Sequence, residues 1–129
     1  MTLLIRTDYT DQAGWDELRT LLATPSEEGF LAEVELVERE DYADLPVDRL
    51  LDLLPAADNP RVLLVADRTT FSSHELPVLV VDLPKHRELR AVASQLWSVE
   101  NNLALANMDF EEFERETEED GVFRGFSGF

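Results

Sequence analysis

The chain has 129 residues, 44% of them hydrophobic, with a formal net charge of -17 and no cysteine. That size suits one domain with a sizeable core, and the missing cysteines exclude disulfides, zinc–thiolate centres and cysteine nucleophiles. The charge repels phosphate and so argues against direct binding to nucleic acid or an anionic membrane.

No stretch approaches the roughly 20 apolar residues of a membrane span. The opening MTLLIRTD lacks a signal-peptide apolar core, so a cytoplasmic protein is the expectation. Leu3–Ile5 reads as a first, buried strand. Thr10 and Asp11 can cap a helix in which Trp15, Leu18, Leu21 and Leu22 recur at helical spacing. Thr24-Pro25 ends it, because the residue before proline avoids helical angles.

Ala32, Val34 and Leu36 alternate with Glu33, Glu35 and Val37, the pattern of a half-exposed edge strand whose glutamates discourage edge-to-edge pairing. An acidic loop, Glu38–Asp44, follows. Pro46 then suits the first position of a short helix with Val47, Leu50, Leu51 and Leu54 as its buried stripe and Pro55 as its stop. Val62–Ala66 and Val78–Val81 are continuous apolar runs, as in central strands. The segment between them is near the lower limit for a parallel crossover, and a parallel pair is expected. Pro84–Arg87 forms a tight connection to a fifth strand, Leu89–Val92, antiparallel to the fourth.

The order of elements predicts an α/β fold: a single domain over residues 1–129, in two or three layers. Its mixed, mostly parallel five-stranded sheet has the order 2-1-3-4-5 and is covered by helices, two of them C-terminal.

On a helical wheel, Leu96, Val99, Leu103 and Ala106 form one apolar stripe and Trp97, Ala104 and Met108 another. Glu100 falls between the two stripes, facing inward or toward a cleft, where a carboxylate needs a partner. In a structural role it would accept backbone N–H groups of Gly121–Phe126 or pair with Arg6. In a functional role it would be a general base or a metal ligand. Asn107-Met108-Asp109 reads as a corner, with Asn107 in the left-handed conformation and Asp109 capping the next helix in a capping box with Glu112. Phe110 and Phe113 would anchor that helix. The tail aromatics Phe123, Phe126 and Phe129 either dock on the domain or meet a second chain.

LIRTDYTD, VADRTTF, VVDL and QLWSVENNLALANMDFEEF followed by DGVFRGF together resemble a family of uncharacterised bacterial proteins common in high-GC actinobacteria, grouped as a domain of unknown function. ANMDFEEF is the most distinctive segment. The resemblance implies a bacterial, cytoplasmic, single-domain protein and supplies no catalytic residues.

Asp8, Asp67 and Asp82 each fall at or near the C-terminal end of an expected strand, where ligands gather in open α/β sheets. Three converging carboxylates call for a hard cation such as Mg2+, which could support phosphoryl transfer or hydrolysis. This site requires the third and fourth strands to run parallel. Ser72-Ser73-His74 reads as a turn, since adjacency does not create serine–base geometry, and His86 as a solvated turn residue. Lys85, Arg87 and Arg90 form the one basic cluster, either a solvated turn or a docking patch for an acidic surface, including that of a second copy. There is no glycine-rich phosphate loop and no histidine pair at metal spacing.

The function expected from these features is a non-enzymatic interaction or regulatory module whose acidic surface meets a basic protein partner. A small Mg2+-dependent enzyme with Glu100 as auxiliary acid or base, and a nucleic-acid mimic, are the alternatives.

Overall fold

The apolar runs pair into one six-stranded sheet in the computed structural model, which describes residues 2–54 and 61–126. The strands are β1 (Thr2–Arg6), β2 (Val34–Val37), β3 (Val62–Ala66), β4 (Pro77–Asp82), β5 (Arg87–Val92) and β6 (Val122–Phe123). Their order is β2-β1-β3-β4-β5-β6. β1 is parallel to both β2 and β3, and β6 is parallel to β5. β4 is antiparallel to both of its neighbours.

The first five strands keep the expected order, with β2 at an edge. Two expectations are corrected. First, β3 and β4 are antiparallel, so the sheet divides into a parallel half and an antiparallel centre. The segment joining them holds only a one-turn helix, α3 (Arg68–Phe71). A parallel crossover must travel back along the sheet and needs a dozen or more residues, whereas this turn brings the chain straight back on the same rim. Second, the sheet has six strands, not five. β6 is two residues long, too short to show an alternating pattern, and Arg90 N–H donates to Gly121 O at its start.

The longer helices are α1 (Gln12–Leu22), α2 (Val47–Leu53), α4 (Leu96–Ala104) and α5 (Phe110–Glu114). The main core lies on the face of the sheet carrying Leu4, Leu64 and Val80, under Trp15 and Leu18 of α1, Leu96 and Val99 of α4, and Phe110 and Phe113 of α5. Phe123 completes it, edge-on to Phe113 with ring centroids 5.2 Å apart. The tail therefore docks on its own domain through Phe123, while Phe129 lies outside the described residues. Ile5, Leu63, Val65 and Val81 face the other way and pack beneath Leu50 of α2. Burial on both faces is why β3 and β4 read as unbroken apolar runs.

Asp11 caps α1 as expected, accepting from Gly14 N–H at 2.8 Å. Leu21, expected in the buried stripe, is 40% exposed. Pro46 stands one residue ahead of α2, as its cap; the stop assigned to Pro55 lies outside the described residues.

The end of α4 differs from expectation by one position. Ala106, not Asn107, takes the left-handed conformation, with φ 56°. Its N–H bonds Leu103 O and that of Asn107 bonds Asn102 O, at 3.1 and 2.9 Å. This paired arrangement closes a helix and normally places glycine where Ala106 stands. Ala106→Gly should therefore raise unfolding free energy by about 0.5–1 kcal/mol, read as a higher urea midpoint at unchanged slope. The capping box of Asp109 and Glu112 forms as the sequence predicts.

Candidate functional site

The three aspartates do not converge. β1 and β3 end together, Arg6 opposite Ala66, so Asp8 and Asp67 share one rim. Asp82 ends β4 opposite Val62, the first residue of β3, and so lies at the other rim, about 13 Å away along the strand. The antiparallel pairing of β3 and β4 is the cause, and it removes the Mg2+ site proposed for Asp8, Asp67 and Asp82. Among the described residues no group of three or more acidic, histidine or cysteine side chains is placed to hold a metal ion.

Each aspartate has its own local task. Asp8 accepts from Thr10 N–H at 3.1 Å and Thr10 Oγ1 at 2.7 Å, turning the chain from β1 toward α1. Asp67 caps α3 through Thr70 N–H and receives both terminal nitrogens of Arg90, at 2.9 and 2.7 Å. Burial works to raise the Asp67 pKa, but the Arg90 and Thr70 hydrogen bonds and the Arg90 charge outweigh it and hold the carboxyl below its usual range.

Asp82 is buried, and its Oδ2 has no hydrogen-bond partner. Burial pushes its pKa up, and the Lys85 charge offsets only part of that. A carboxyl whose folded pKa exceeds the unfolded value favours the native state more as pH falls through the folded pKa, and least above it. Asp82→Asn should therefore raise the melting temperature by a few degrees at neutral pH. The gain should shrink as the pH of the scan falls into the range where Asp82 itself becomes protonated.

Glu100 is buried as expected, but its partners are neither the tail nor Arg6. Its Oε2 accepts from Thr2 Oγ1 at 2.6 Å and its Oε1 from Glu33 N–H at 2.7 Å. It thus ties α4 to the start of β1 and to the residue preceding β2. Both carboxylate oxygens are spent on holding the parallel half of the sheet.

Arg6 is at the opposite end of β1 from Thr2, which is why it cannot reach Glu100. It is 1% exposed. Its Nε donates to Asp8 O at 2.8 Å, and its Nη1 donates to Gln12 Oε1 at 3.1 Å and to Glu38 Oε2 at 2.9 Å. The guanidinium carbon lies over the rings of both Tyr9 and Trp15, 4.3 and 5.2 Å from their centroids. Trp15 Nε1 donates to Glu38 Oε1, which closes the cluster. Burial pushes the Tyr9 phenol pKa up, with Arg6 pulling it the other way. A charge ending the apolar run Leu3–Ile5 was the sequence signal for this cluster.

The basic cluster is occupied internally. Lys85 bonds Glu111 at 2.6 Å, Arg87 bonds Glu114 at 2.7 Å and Arg90 bonds Asp67, so two of the three cations hold α5 to the β4–β5 turn. Each cation of the patch thus has an acidic partner within its own chain. Ser72 Oγ donates to Thr69 O and Ser73 Oγ accepts from Glu75 N–H, local turn bonds that leave exposed His74 without either serine as a partner.

Sequence reasoning missed a cleft of about 270 Å3 between the end of α1, the loop leading to β2, and the start of α4. Leu21, Phe30, Leu31 and Trp97 line it. Phe30 stacks on Trp97 at 5.1 Å with the rings 9° from parallel. Three of the largest exposed apolar side chains, Leu21, Phe30 and Leu31, gather at this one place. The available signal was the pair Phe30-Leu31 in an otherwise polar loop.

No helix among the described residues is long and apolar enough to cross a membrane. No curated protein matches the chain. Residues 1–126 match the model of a family described as Domain of unknown function (DUF6924). With nearly its whole length covered by that match, the chain belongs to the DUF6924 family.

Proposed function

We propose that this protein is a non-catalytic binding module whose acidic surface recognises a basic protein partner. The observation that carries the reading is where the cations go. Among the described residues, seven of the chain's eleven lysines and arginines are engaged in ion pairs within the molecule. Against 28 acidic residues, that leaves the outward field strongly negative, and such a field draws and orients basic surfaces. The residues with the best claim to chemistry support the same view. Asp8, Asp67 and Glu100 are each occupied by hydrogen bonds that build the fold, and the lone Asp82 is on the wrong rim to join them.

Immobilised protein exposed to host lysate should retain basic proteins at low salt and release them as the Debye length shrinks below about 10 Å. Retention that is equal at low and high salt, or retention of acidic proteins, would count against recognition by charge.

A further inference from the structure

The loop entering β2 is pinned to one face of α4 by three side chains at helical spacing. Trp97 stacks on Phe30. Glu100 accepts the Glu33 N–H. Asn101 Nδ2 donates to Leu31 O at 2.9 Å. The cleft beside Trp97 and the first residues of β2 are therefore held in one fixed relation. Ala32, two residues ahead of β2, lines the cleft.

β2 is an edge strand, and among the described residues only β1 pairs with it. Thr2 N–H donates to Glu33 O, which sets the phase: the odd residues turn their backbone groups toward β1. The N–H and C=O groups of Val34 and Leu36 then point away from the sheet, and among the described residues nothing pairs with them, so they can accept another strand. Leu36 is itself an exposed apolar side chain.

The segment that forms this edge carries charge of one sign. Thr24–Glu38 holds five glutamates and no lysine or arginine. Glu38 is paired with Arg6, while Glu27, Glu28, Glu33 and Glu35 are exposed and make no ion pair among the described residues. A second copy brought edge to edge would set two such glutamate rows against each other. The cleft volume is below the roughly 300–1,000 Å3 of small-molecule sites and suits an apolar side chain or two.

From this combination we infer that the β2 edge and the adjoining cleft form a docking site for an extended segment of a partner protein, basic and apolar in alternation. The segment adds to the sheet beside β2. Its backbone meets the free groups of Val34 and Leu36. Its lysines or arginines face the glutamates, and an apolar side chain enters the cleft at Phe30 and Trp97. The inference rests on the acidic-surface reading and goes beyond it by naming where the partner binds and in what conformation.

The test uses three fluorescein-labelled nine-residue peptides and the full chain at low salt. One alternates lysine with leucine or valine, one alternates lysine with serine or threonine, and one is the glutamate counterpart of the first. Binding is read by anisotropy, and amide chemical shifts map the contact. The lysine–leucine peptide should bind at least about tenfold more tightly than the lysine–serine peptide, and the glutamate peptide should not bind. Shift changes should concentrate in residues 30–37 and around Trp97.

Leu36→Pro removes one outward N–H at a position where an edge strand tolerates proline, and Phe30→Ala opens the cleft wall at a half-exposed residue. Each should weaken binding of the lysine–leucine peptide by about tenfold, with Phe30→Ala keeping the argument testable should the proline variant not fold. Equal binding of both lysine peptides would overturn the docking site and leave the acidic-surface reading standing. No binding of either would overturn both. A dimer of this chain abolished by Leu36→Pro would overturn the choice of occupant.

Discussion

Glu100→Ala is expected to destabilise the fold by about 3 kcal/mol in urea unfolding, while Glu100→Gln costs only about 1 kcal/mol. The alanine variant strands two donors, Thr2 Oγ1 in a buried place and Glu33 N–H in a partly buried one. A hydrogen bond to a charged acceptor contributes about 1.5–3 kcal/mol, and a buried donor left alone carries its full desolvation cost. Glutamine keeps an oxygen for the Glu33 amide, and its own N–H can be received by the Thr2 hydroxyl, which both donates and accepts. A carboxylate serving as a general base would give the reverse pattern: glutamine as damaging to activity as alanine, with little change in stability. Amide exchange should add a local signature, faster at Glu33 in Glu100→Ala than in Glu100→Gln, because that one N–H loses its acceptor.

Arg6→Ala should cost about 3–4 kcal/mol, the largest loss from any single charged residue discussed above. Its side chain is a packed plate as much as a cation. Removing it empties the space beside the Tyr9 and Trp15 rings and takes the donors from Asp8 O, Gln12 and Glu38 together. Glu38 is half-exposed and regains water, so the loss comes mainly from packing and from the buried backbone acceptor. Arg6→Lys should recover less than half. A compact ammonium cannot contact both rings while bridging Asp8 O and Glu38 as the extended, five-donor guanidinium does. Thermal unfolding gives the loss, and the near-ultraviolet circular dichroism of Trp15 should flatten in Arg6→Ala even below the melting transition.

These two residues also mark how far the candidate site was legible. The inward placement of Glu100 followed from the helical wheel, because the 3.6-residue period puts it between two apolar stripes. Its partners did not follow. Thr2 and Glu33 are 98 and 67 residues away along the chain, and no local pattern encodes which distant donors an inward carboxylate meets. The aspartates fared the other way. Asp8, Asp67 and Asp82 do lie at or near strand ends, as the apolar runs indicated, yet a single reversal of direction between β3 and β4 separated them. The deciding feature was the length of one connection, close to the limit at which either direction is feasible. At the corner after α4, the side-chain preference of asparagine pointed to Asn107. The hydrogen bonds needed to close the helix selected Ala106 instead.

Local composition and periodicity were sufficient for the net acidity of the chain, the positions of five strands and the main helices, and the capping of α1 and α5. All of these rest on interactions between residues a few positions apart or on the simple division of apolar from polar faces. The direction of β4 turned on the length of one connection, while the two-residue β6, the stacking of Phe30 on Trp97 and the bracing of the β2 entry by α4 depend on groups brought together from distant parts of the chain. Those groups meet only after the core has packed, and their geometry was set by the space that packing left.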